Sequence, residues 1–166
     1  MKRLWIWVAL ALLLSGCGRS AFFTFTGSAT YADALPHTQR GEIADRFESK
    51  ALLTASYLNA IYPQDARYQD GEYFFVGLYI DKDFQGEKAG INNPLYNLTL
   101  NGQPYESALK VEENDELLKL MPLVNRWSRY YIVRFKTQPS HELSLKLTHP
   151  DTNRQAALTF AKALQD

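Results

Sequence analysis

Leucines alternate with polar residues along one segment in the last third of the chain, between His141 and Thr148. A period of two residues is that of a β-strand with one buried face. The same pattern returns at residues 156–160 after a turn-forming stretch at 150–153, which predicts an antiparallel hairpin. The Ala- and Leu-rich composition of residues 156–164 favours a terminal helix as the alternative.

Two earlier segments are apolar on both faces, as expected of strands that are covered on both sides. Residues 50–59 show this two-sided pattern, and so do residues 72–81. Within the second segment the two faces are Phe74, Val76, Leu78 and Ile80 on one side, and Tyr73, Phe75 and Tyr79 on the other. Both segments are therefore predicted to be central strands.

Shorter signals complete the pattern. Residues 129–136 alternate as a strand, and residues 97–100 form a short strand that ends at the turn signal Asn101-Gly102. One helical turn is predicted within residues 112–121, where acidic residues come first and Pro122 follows.

Six or seven strands separated by turn signals predict an all-β fold. We expect an antiparallel β-sandwich of immunoglobulin-like type with at most one short helix, and a small β-barrel is the alternative. Ten tyrosines and nine phenylalanines suit β-structure. Residues 39–166 are assigned to a single domain, because their number is typical of one.

The N-terminal region has the features of an export signal. Lys2 and Arg3 precede an unbroken apolar run of eleven residues, 4–14. A membrane-spanning helix needs about 20 apolar residues, whereas the apolar part of a signal peptide has roughly 7 to 15. Two small residues then lead into Cys17, the only cysteine of the chain.

The motif Leu14-Ser15-Gly16-Cys17 resembles the lipobox of bacterial lipoprotein precursors. The resemblance implies that residues 1–16 are a signal peptide, cleaved before Cys17, and that the cysteine receives a diacylglyceryl group on sulfur and an acyl chain on its amine. It implies a protein anchored in a bilayer of the cell envelope. Gly18 in place of Asp implies the periplasmic face of the outer membrane, with the inner membrane as the alternative. An ordinary secretory signal cleaved elsewhere is the other interpretation.

Residues 17–38 are interpreted as the lipidated N-terminus and a tether, because they are rich in Ser, Thr, Gly and Ala and show weak periodicity. Three aromatic residues, Phe22, Phe23 and Phe25, leave other interpretations of this segment open. They are consistent with a first edge strand, with contact to the lipid interface, or with disorder.

Charge and cysteine content narrow the classes of partner. Removal of residues 1–16 takes Lys2 and Arg3 away and leaves 16 basic and 18 acidic residues from 18 of each. Such a domain lacks the basic surface that nucleic acids require, so no nucleic-acid partner is expected. With Cys17 lipidated, no thiol remains for a disulfide or a zinc site. We expect no cofactor besides the covalent lipid.

Catalytic motifs are missing from the sequence. There is no Gly-x-Ser-x-Gly elbow, no His-Glu-x-x-His helix and no glycine-rich phosphate loop. His141 and His149 bracket one predicted strand and are therefore roughly 26 Å apart, too far to share a metal or a substrate. His37 falls in the tether. Neighbouring acidic pairs such as Glu112 and Glu113 are typical of solvated loops. We therefore expect a protein that is not an enzyme.

One acidic segment resembles the start of a calcium loop. Asp81 and Asp83 with Gly86 match positions one, three and six of such a loop, but Asn92 stands where a bidentate glutamate is needed. A weaker calcium site that includes Glu87 stays open, and an acidic turn at a strand end is the preferred interpretation. No metal site is assigned.

The densest cluster of arginine and aromatic residues is the best candidate for a contact surface: Arg126, Trp127, Arg129 and Tyr130. Such residues dominate binding hot spots, and aromatic rings also stack on sugars. We expect a non-catalytic module that binds another envelope protein or a cell-wall component. The alternative is a carrier or sensor that holds a small apolar ligand in a cavity lined by Tyr73, Phe75 and Tyr79. Packing of Trp127 at one end of the sandwich, without a partner, is the simpler interpretation of the cluster.

Overall fold

A computed structural model describes residues 31–162 of the chain. These residues form nine strands, three single-turn α-helices and four short 3₁₀ turns. The strands are β1 (Thr38–Asp45), β2 (Glu48–Tyr57), β3 (Glu72–Ile80), β4 (Asn97–Leu100), β5 (Gln103–Pro104), β6 (Ser107–Lys110), β7 (Arg129–Phe135), β8 (Glu142–His149) and β9 (Arg154–Ala161). The helices are α1 (Tyr31–Ala34), α2 (Leu58–Ile61) and α3 (Leu117–Leu120), and the 3₁₀ turns are Leu35–His37, Ala66–Tyr68, Gly86–Lys88 and Gly90–Asn92.

The strands form two antiparallel sheets that pack face to face. The first sheet has the order β1-β2-β3-β7-β6 and the second the order β5-β4-β8-β9. The predicted all-β sandwich is confirmed, and the sheets do not close into a barrel. β2 and β3 are neighbours in the same sheet, whereas immunoglobulin constant domains place their second and third strands in opposite sheets.

A core of aliphatic and aromatic side chains fills the space between the sheets. The predicted hairpin of β8 and β9 is confirmed, with Leu145 opposite Leu158, and the alternative of a terminal helix is wrong. The core side chains include Ile43, Leu53, Tyr57, Phe74, Val76, Leu78, Leu98, Leu100, Val133, Phe135, Leu143, Leu145, Leu147, Leu158 and Phe160.

A second apolar layer covers the outer face of the first sheet. It explains why β2 and β3 are apolar on both faces, as predicted for central strands. Phe75 and Tyr130 point outward and stack with their ring centroids 5.2 Å apart. The other buried members of this layer are Ala34, Leu58, Ile61, Tyr68, Val111 and Met121.

The positions of Tyr73, Phe75 and Tyr79 bear on the carrier alternative. All three belong to the outer face of β3, because successive side chains of a strand point to opposite faces and Phe74, Val76 and Leu78 lie in the core between the sheets. Phe75 is 1 % exposed and packed in the second layer. These residues therefore line no space between the sheets.

The folded part begins earlier in the chain than predicted, which corrects the boundary of the tether. Ala34 is fully buried in the outer layer, and the Thr38 hydroxyl donates to the carbonyl of Ala34 at 2.8 Å. Its small side chain fits within this layer, so the weak periodicity of the segment did not indicate solvent exposure. The remainder of the predicted tether, with Phe22, Phe23 and Phe25, lies outside the described residues.

The two ends of β3 differ in how far their charged side chains are buried. At its first residue, the Glu72 carboxylate is 1 % exposed and accepts hydrogen bonds from the Tyr57 hydroxyl at 2.6 Å and from the backbone N–H of Gln138 at 2.9 Å. The Lys162 ammonium lies 2.9 Å from the same carboxylate. We call this the Glu72 end. Its charges are paired within the fold.

One side-chain amide joins the edges of the two sheets. The Gln39 amide donates to the carbonyl of Thr159 and accepts from its backbone N–H at 3.1 Å. It thus reproduces, with one side chain, the hydrogen bonds that a neighbouring strand would make to β9.

Residues 1–16, predicted to be a signal peptide, and Cys17 lie outside the described residues, so the structure does not bear on them. Within residues 31–162, no helix is both long enough and apolar enough to cross a bilayer.

Candidate binding surface

The candidate surface lies at the end of β3 opposite to Glu72, where the loop before β7 crosses the outer face of the first sheet. Trp127 stands in this loop between two grooves. The larger groove has a volume of about 700 Å³ and the smaller one about 440 Å³. Tyr79 and Trp127 line both of them. We call Trp127 and the two grooves the Trp127 surface.

Hydrogen bonds from Asn125 and Tyr130 fix the loop that presents Trp127. The side-chain oxygen of Asn125 accepts from the backbone N–H of Trp127 at 2.9 Å and of Ser128 at 3.0 Å. The Tyr130 hydroxyl accepts from the N–H of Asn125 at 2.6 Å and lies 3.1 Å from its carbonyl, to which it donates. The loop is therefore held in place before any partner arrives.

Tyr130 can serve as this support because β3 leaves room for its ring. A Cβ atom added to Gly77 would lie only 2.6 Å from Cε1 of Tyr130, closer than atoms pack. Glycine is thus required at position 77 for the ring to lie flat on β3 and stack on Phe75. Tyr130 is 7 % exposed. Although it lines the larger groove, its main role is to support the surface from beneath.

Trp127 is the exposed member of the predicted cluster, with 65 % of its surface accessible. The Arg126 guanidinium lies 4.2 Å from the centre of its ring. A cation over an indole face is attracted to it by about 0.5–1 kcal/mol at an exposed site. The pair therefore forms a flat aromatic and cationic platform of the kind that dominates binding hot spots.

Arg129, the third predicted residue, forms part of the wall of the larger groove. Its Nε atom lies 3.3 Å from the carboxylate of Asp83. That carboxylate also accepts from the N–H of Gly90 at 2.8 Å and from the Asn93 amide at 2.9 Å. Gly90 has a positive φ of 62°, and its Cα packs directly against the Tyr131 hydroxyl, so a side chain has no room there. Asp83 thereby ties the loop after β3 to β7.

Charges of both signs line the larger groove. Its wall contains the acidic residues Glu112 and Glu113 and the cationic residues Lys110, Arg126 and Arg129. The volume is within the range of ligand sites, roughly 300 to 1,000 Å³. The mixture favours a partner that carries both hydrogen-bond donors and acceptors over a uniformly charged polymer.

The acidic segment considered for calcium does not gather its carboxylates. Asp83 is engaged as described, and Asp81 lies 3.4 Å from the Lys50 ammonium, while Glu87 is exposed. In the described part of the chain, no three His, Cys, Asp or Glu side chains are grouped closely enough to hold a metal ion. The acidic turn is the interpretation that the geometry supports.

The histidines are separated as predicted. His141 precedes β8 and His149 ends it, and His37 lies in a 3₁₀ turn before β1. The imidazole of His149 packs edge-on against Tyr96 with ring centres 5.2 Å apart. His141 and His149, at opposite ends of β8, do not share a site.

Sequence reasoning missed the residues that complete the Trp127 surface. Arg40 and Leu52 line the smaller groove together with Tyr79 and Asn125, although they are distant in sequence. Only the pairing of β1, β2 and β3 brings them together. Arg40 lies on a face of β1 that also carries Thr38 and Glu42, so no local signal in the sequence indicates the groove.

Comparison with known proteins gave no match to any family model, curated protein or solved structure. The function is therefore inferred from the residues of this chain.

Proposed function

We propose that this chain is a lipid-anchored protein of the bacterial cell envelope whose β-sandwich is a non-catalytic binding module. In this proposal a lipid on Cys17 holds the protein at the membrane, on the periplasmic face of the outer membrane. The Trp127 surface then binds another envelope protein or a cell-wall component.

The observation that carries the proposal is the rigid presentation of Trp127. Trp127 is 65 % exposed, so much of its apolar surface is in contact with water. This exposure does not stabilise an isolated monomer. Here the backbone on both sides is fixed by Asn125 and Tyr130. Because the loop is ordered in advance, little conformational entropy is lost when a partner covers the indole.

The grooves support binding of an irregular or extended partner. Tyr79 and Trp127 form aromatic walls that suit apolar side chains and the faces of sugar rings. The larger groove also has a polar wall, in which Asp83, Glu113 and Arg129 supply hydrogen-bond donors and acceptors.

The anchor is tested by changing Cys17→Ser in the full chain and separating membranes from soluble proteins. We expect the variant to leave the membrane fraction, because about 0.8 kcal/mol of membrane affinity is lost for each acyl methylene removed. Sedimentation with membranes at the wild-type level would contradict the proposal, and so would a mature N-terminal peptide that carries no lipid.

The binding surface is tested by crosslinking in intact cells that produce the wild type or the Trp127→Ala variant. We expect crosslinks to a defined envelope component in the wild type and at least about a tenfold loss in the variant. Leu35→Ala is the matched control, because Leu35 is 49 % exposed but precedes β1 near the other end of the sheet. Equal loss in both variants, or no loss in either, would overturn the assignment of the surface.

A further inference from the structure

The hairpin between β1 and β2 ends in a turn whose residues are unusual for their conformation. Arg46 and Phe47 have φ values of 48° and 72°, and they form the two-residue loop between Asp45 and Glu48. Two positive φ angles are typical of a type I′ turn, which favours Asn-Gly. A bulky aromatic residue in this region is disfavoured by steric contact with its own backbone.

Phe47 is also the most exposed large apolar residue of the described chain, with its whole surface accessible (107 %). The tip therefore combines local backbone strain with an apolar ring in water. Strained residues persist where the surrounding structure holds them, and they are frequent at sites of function. Both features indicate that the ring is covered by a partner.

The smaller groove of the same molecule has the properties that such a ring requires. Leu52, Tyr79 and Trp127 form aliphatic and aromatic walls. Its volume of about 440 Å³ exceeds the roughly 150 Å³ in which an apolar cavity accommodates benzene. The Arg40 guanidinium in its wall is suited to a cation–π contact with an incoming ring.

Charges beside the tip and beside the groove are complementary. Arg46 forms no salt bridge within the described residues; the pKa of Asp45 is lowered chiefly by its hydrogen bond with Arg154, and the charge of Arg46 adds to this only slightly. Glu42 lies directly opposite Leu52 in the sheet and accepts a hydrogen bond from the Ser49 hydroxyl. It has no cationic partner among residues 31–162. A phenylalanine placed in the groove would bring its neighbouring arginine close to this carboxylate.

The relative positions of tip and groove allow a reciprocal contact. Leu52 follows Phe47 by five residues, so the groove begins about 16 Å from the tip on the same sheet. A two-fold axis that passes between tip and groove relates two copies of the chain, so that the tip of each copy enters the groove of the other. This is the self-complementary geometry of most homodimers.

We propose that two copies of the chain associate through their β1–β2 hairpins, with Phe47 of each copy inserted into the smaller groove of the other, between Tyr79 and Trp127. The larger groove of the Trp127 surface then remains open to the envelope partner of the proposed function. Arg46 then pairs across the interface with Glu42. The buried area is small for a stable dimer, which needs about 1,000 Å² or more. The contact is therefore weak in dilute solution and forms where the chain is concentrated. In that respect it rests on the proposed lipid anchor, which confines the chains to one surface.

A second copy fits the tip better than the bilayer does. Between Thr38 and the tip, β1 spans eight residues or about 26 Å, so the tip is at the far end of β1 from the N-terminal side. The acidic residues near it, Glu42, Asp45 and Glu48, are balanced by Arg46, Lys50 and Arg154, so the tip has no excess of positive charge to attract an anionic lipid surface.

The test uses the full chain in bacterial cells, with a photoreactive phenylalanine analogue at position 47. We expect a crosslinked product of twice the monomer mass, joined to peptides that contain Tyr79 or Trp127. The analogue at Leu109, which is 68 % exposed on the opposite edge strand of the first sheet, is the matched control and should give no dimer. A product with lipid or with another protein only, or no product, would overturn the proposal.

Charge reversal gives the specific readout. Arg46→Glu places two negative charges opposite each other at each half of the interface and should lower the yield of crosslinked dimer about tenfold or more. Adding Glu42→Lys to the same chain restores an opposite-charge pair and should restore the dimer. Failure of the second change to restore the dimer would contradict the assigned pairing. Membrane sedimentation from the same cells tests the anchor separately. If the protein sediments with membranes but gives no dimer, self-association is refuted and the proposed anchor is not.

Discussion

The two ends of β3 contain the same kinds of residue and use them in opposite ways. At the Glu72 end, a carboxylate, a lysine and a tyrosine hydroxyl satisfy one another within the fold. At the Trp127 surface, arginines and carboxylates line open grooves around an exposed indole. Composition alone does not separate the two ends, because both are rich in charged and aromatic side chains.

The difference shows what burial requires of polar groups. A charge that is removed from water must be paired and hydrogen-bonded, or the fold is destabilised by several kcal/mol. The Glu72 end meets this condition and contributes to a unique arrangement of β2, β3 and the C-terminal end of β9. The exposed charges at the Trp127 surface, such as those of Lys110 and Glu112, are in contact with water, so they can exchange water for a partner.

Replacement of Glu72 by alanine tests this comparison most severely. The change leaves the Tyr57 hydroxyl and the Lys162 ammonium without their shared acceptor. We expect a loss of about 3–5 kcal/mol in the free energy of unfolding, measured by urea denaturation of the mature chain. Glu112→Ala, in which an exposed carboxylate is removed at the other end, should change the value by no more than about 0.5 kcal/mol. Similar losses in both variants would show that the ends do not differ.

Replacement of Gly77 by alanine links the interior to the Trp127 surface. The added methyl group would overlap the Tyr130 ring, and overpacking of this kind costs about 1–3 kcal/mol. Because Tyr130 holds Asn125, we also expect a change in the fluorescence of Trp127, which is the sole tryptophan of a chain without residues 1–16. A destabilised variant with unchanged fluorescence would show that the loop does not depend on Tyr130.

Sequence patterns predicted the elements whose burial follows a regular period. The two-sided apolar run of β3 and the alternating leucines of β8 have this property, and both strands are confirmed. β1 was missed because one residue of its eight, Ile43, is fully buried, so its polar positions resemble a loop. β6 is short and exposed and carries no periodic signal either.

The candidate surface was predicted in part. Adjacent residues with strong side-chain chemistry, such as Arg126 and Trp127, are recognisable in a linear sequence. The groove walls come from β1, β2 and β3, and their convergence depends on strand register, which no local pattern of Arg40 or Leu52 encodes. The exposed tip was also missed, because the positive φ of Phe47 is a consequence of tight hairpin pairing.

Alkaline pH acts on both ends through buried tyrosines. Burial raises the pKa of Tyr68, on the Glu72 side, and of Tyr131, near the Trp127 surface. The folded state then keeps its phenolic protons while the unfolded chain loses them, so stability should decrease as the pH rises above about 10. Thermal unfolding between pH 8 and 11 measures this decrease. Tyr68→Phe and Tyr131→Phe should each make stability fall less steeply with pH. If the pH dependence were unchanged in both variants, ionisation of these tyrosines would not be its cause.

Replacement of Trp127 by alanine should have the smallest effect on folding. The indole is largely exposed, so we expect the free energy of unfolding to change by about 0.5 kcal/mol or less. The thermal midpoint measures this. A much larger loss would mean that Trp127 supports the fold, and the contrast between the two ends would then be weaker than described.

The Gln39 amide at the seam of the two sheets has a consequence for solubility. Exposed strand edges are templates on which other chains add strands and grow into fibrils. By occupying both backbone groups of Thr159, a single side chain blocks the middle of β9 against such growth. One glutamine thereby makes this strand edge a poorer template for amyloid-like assembly.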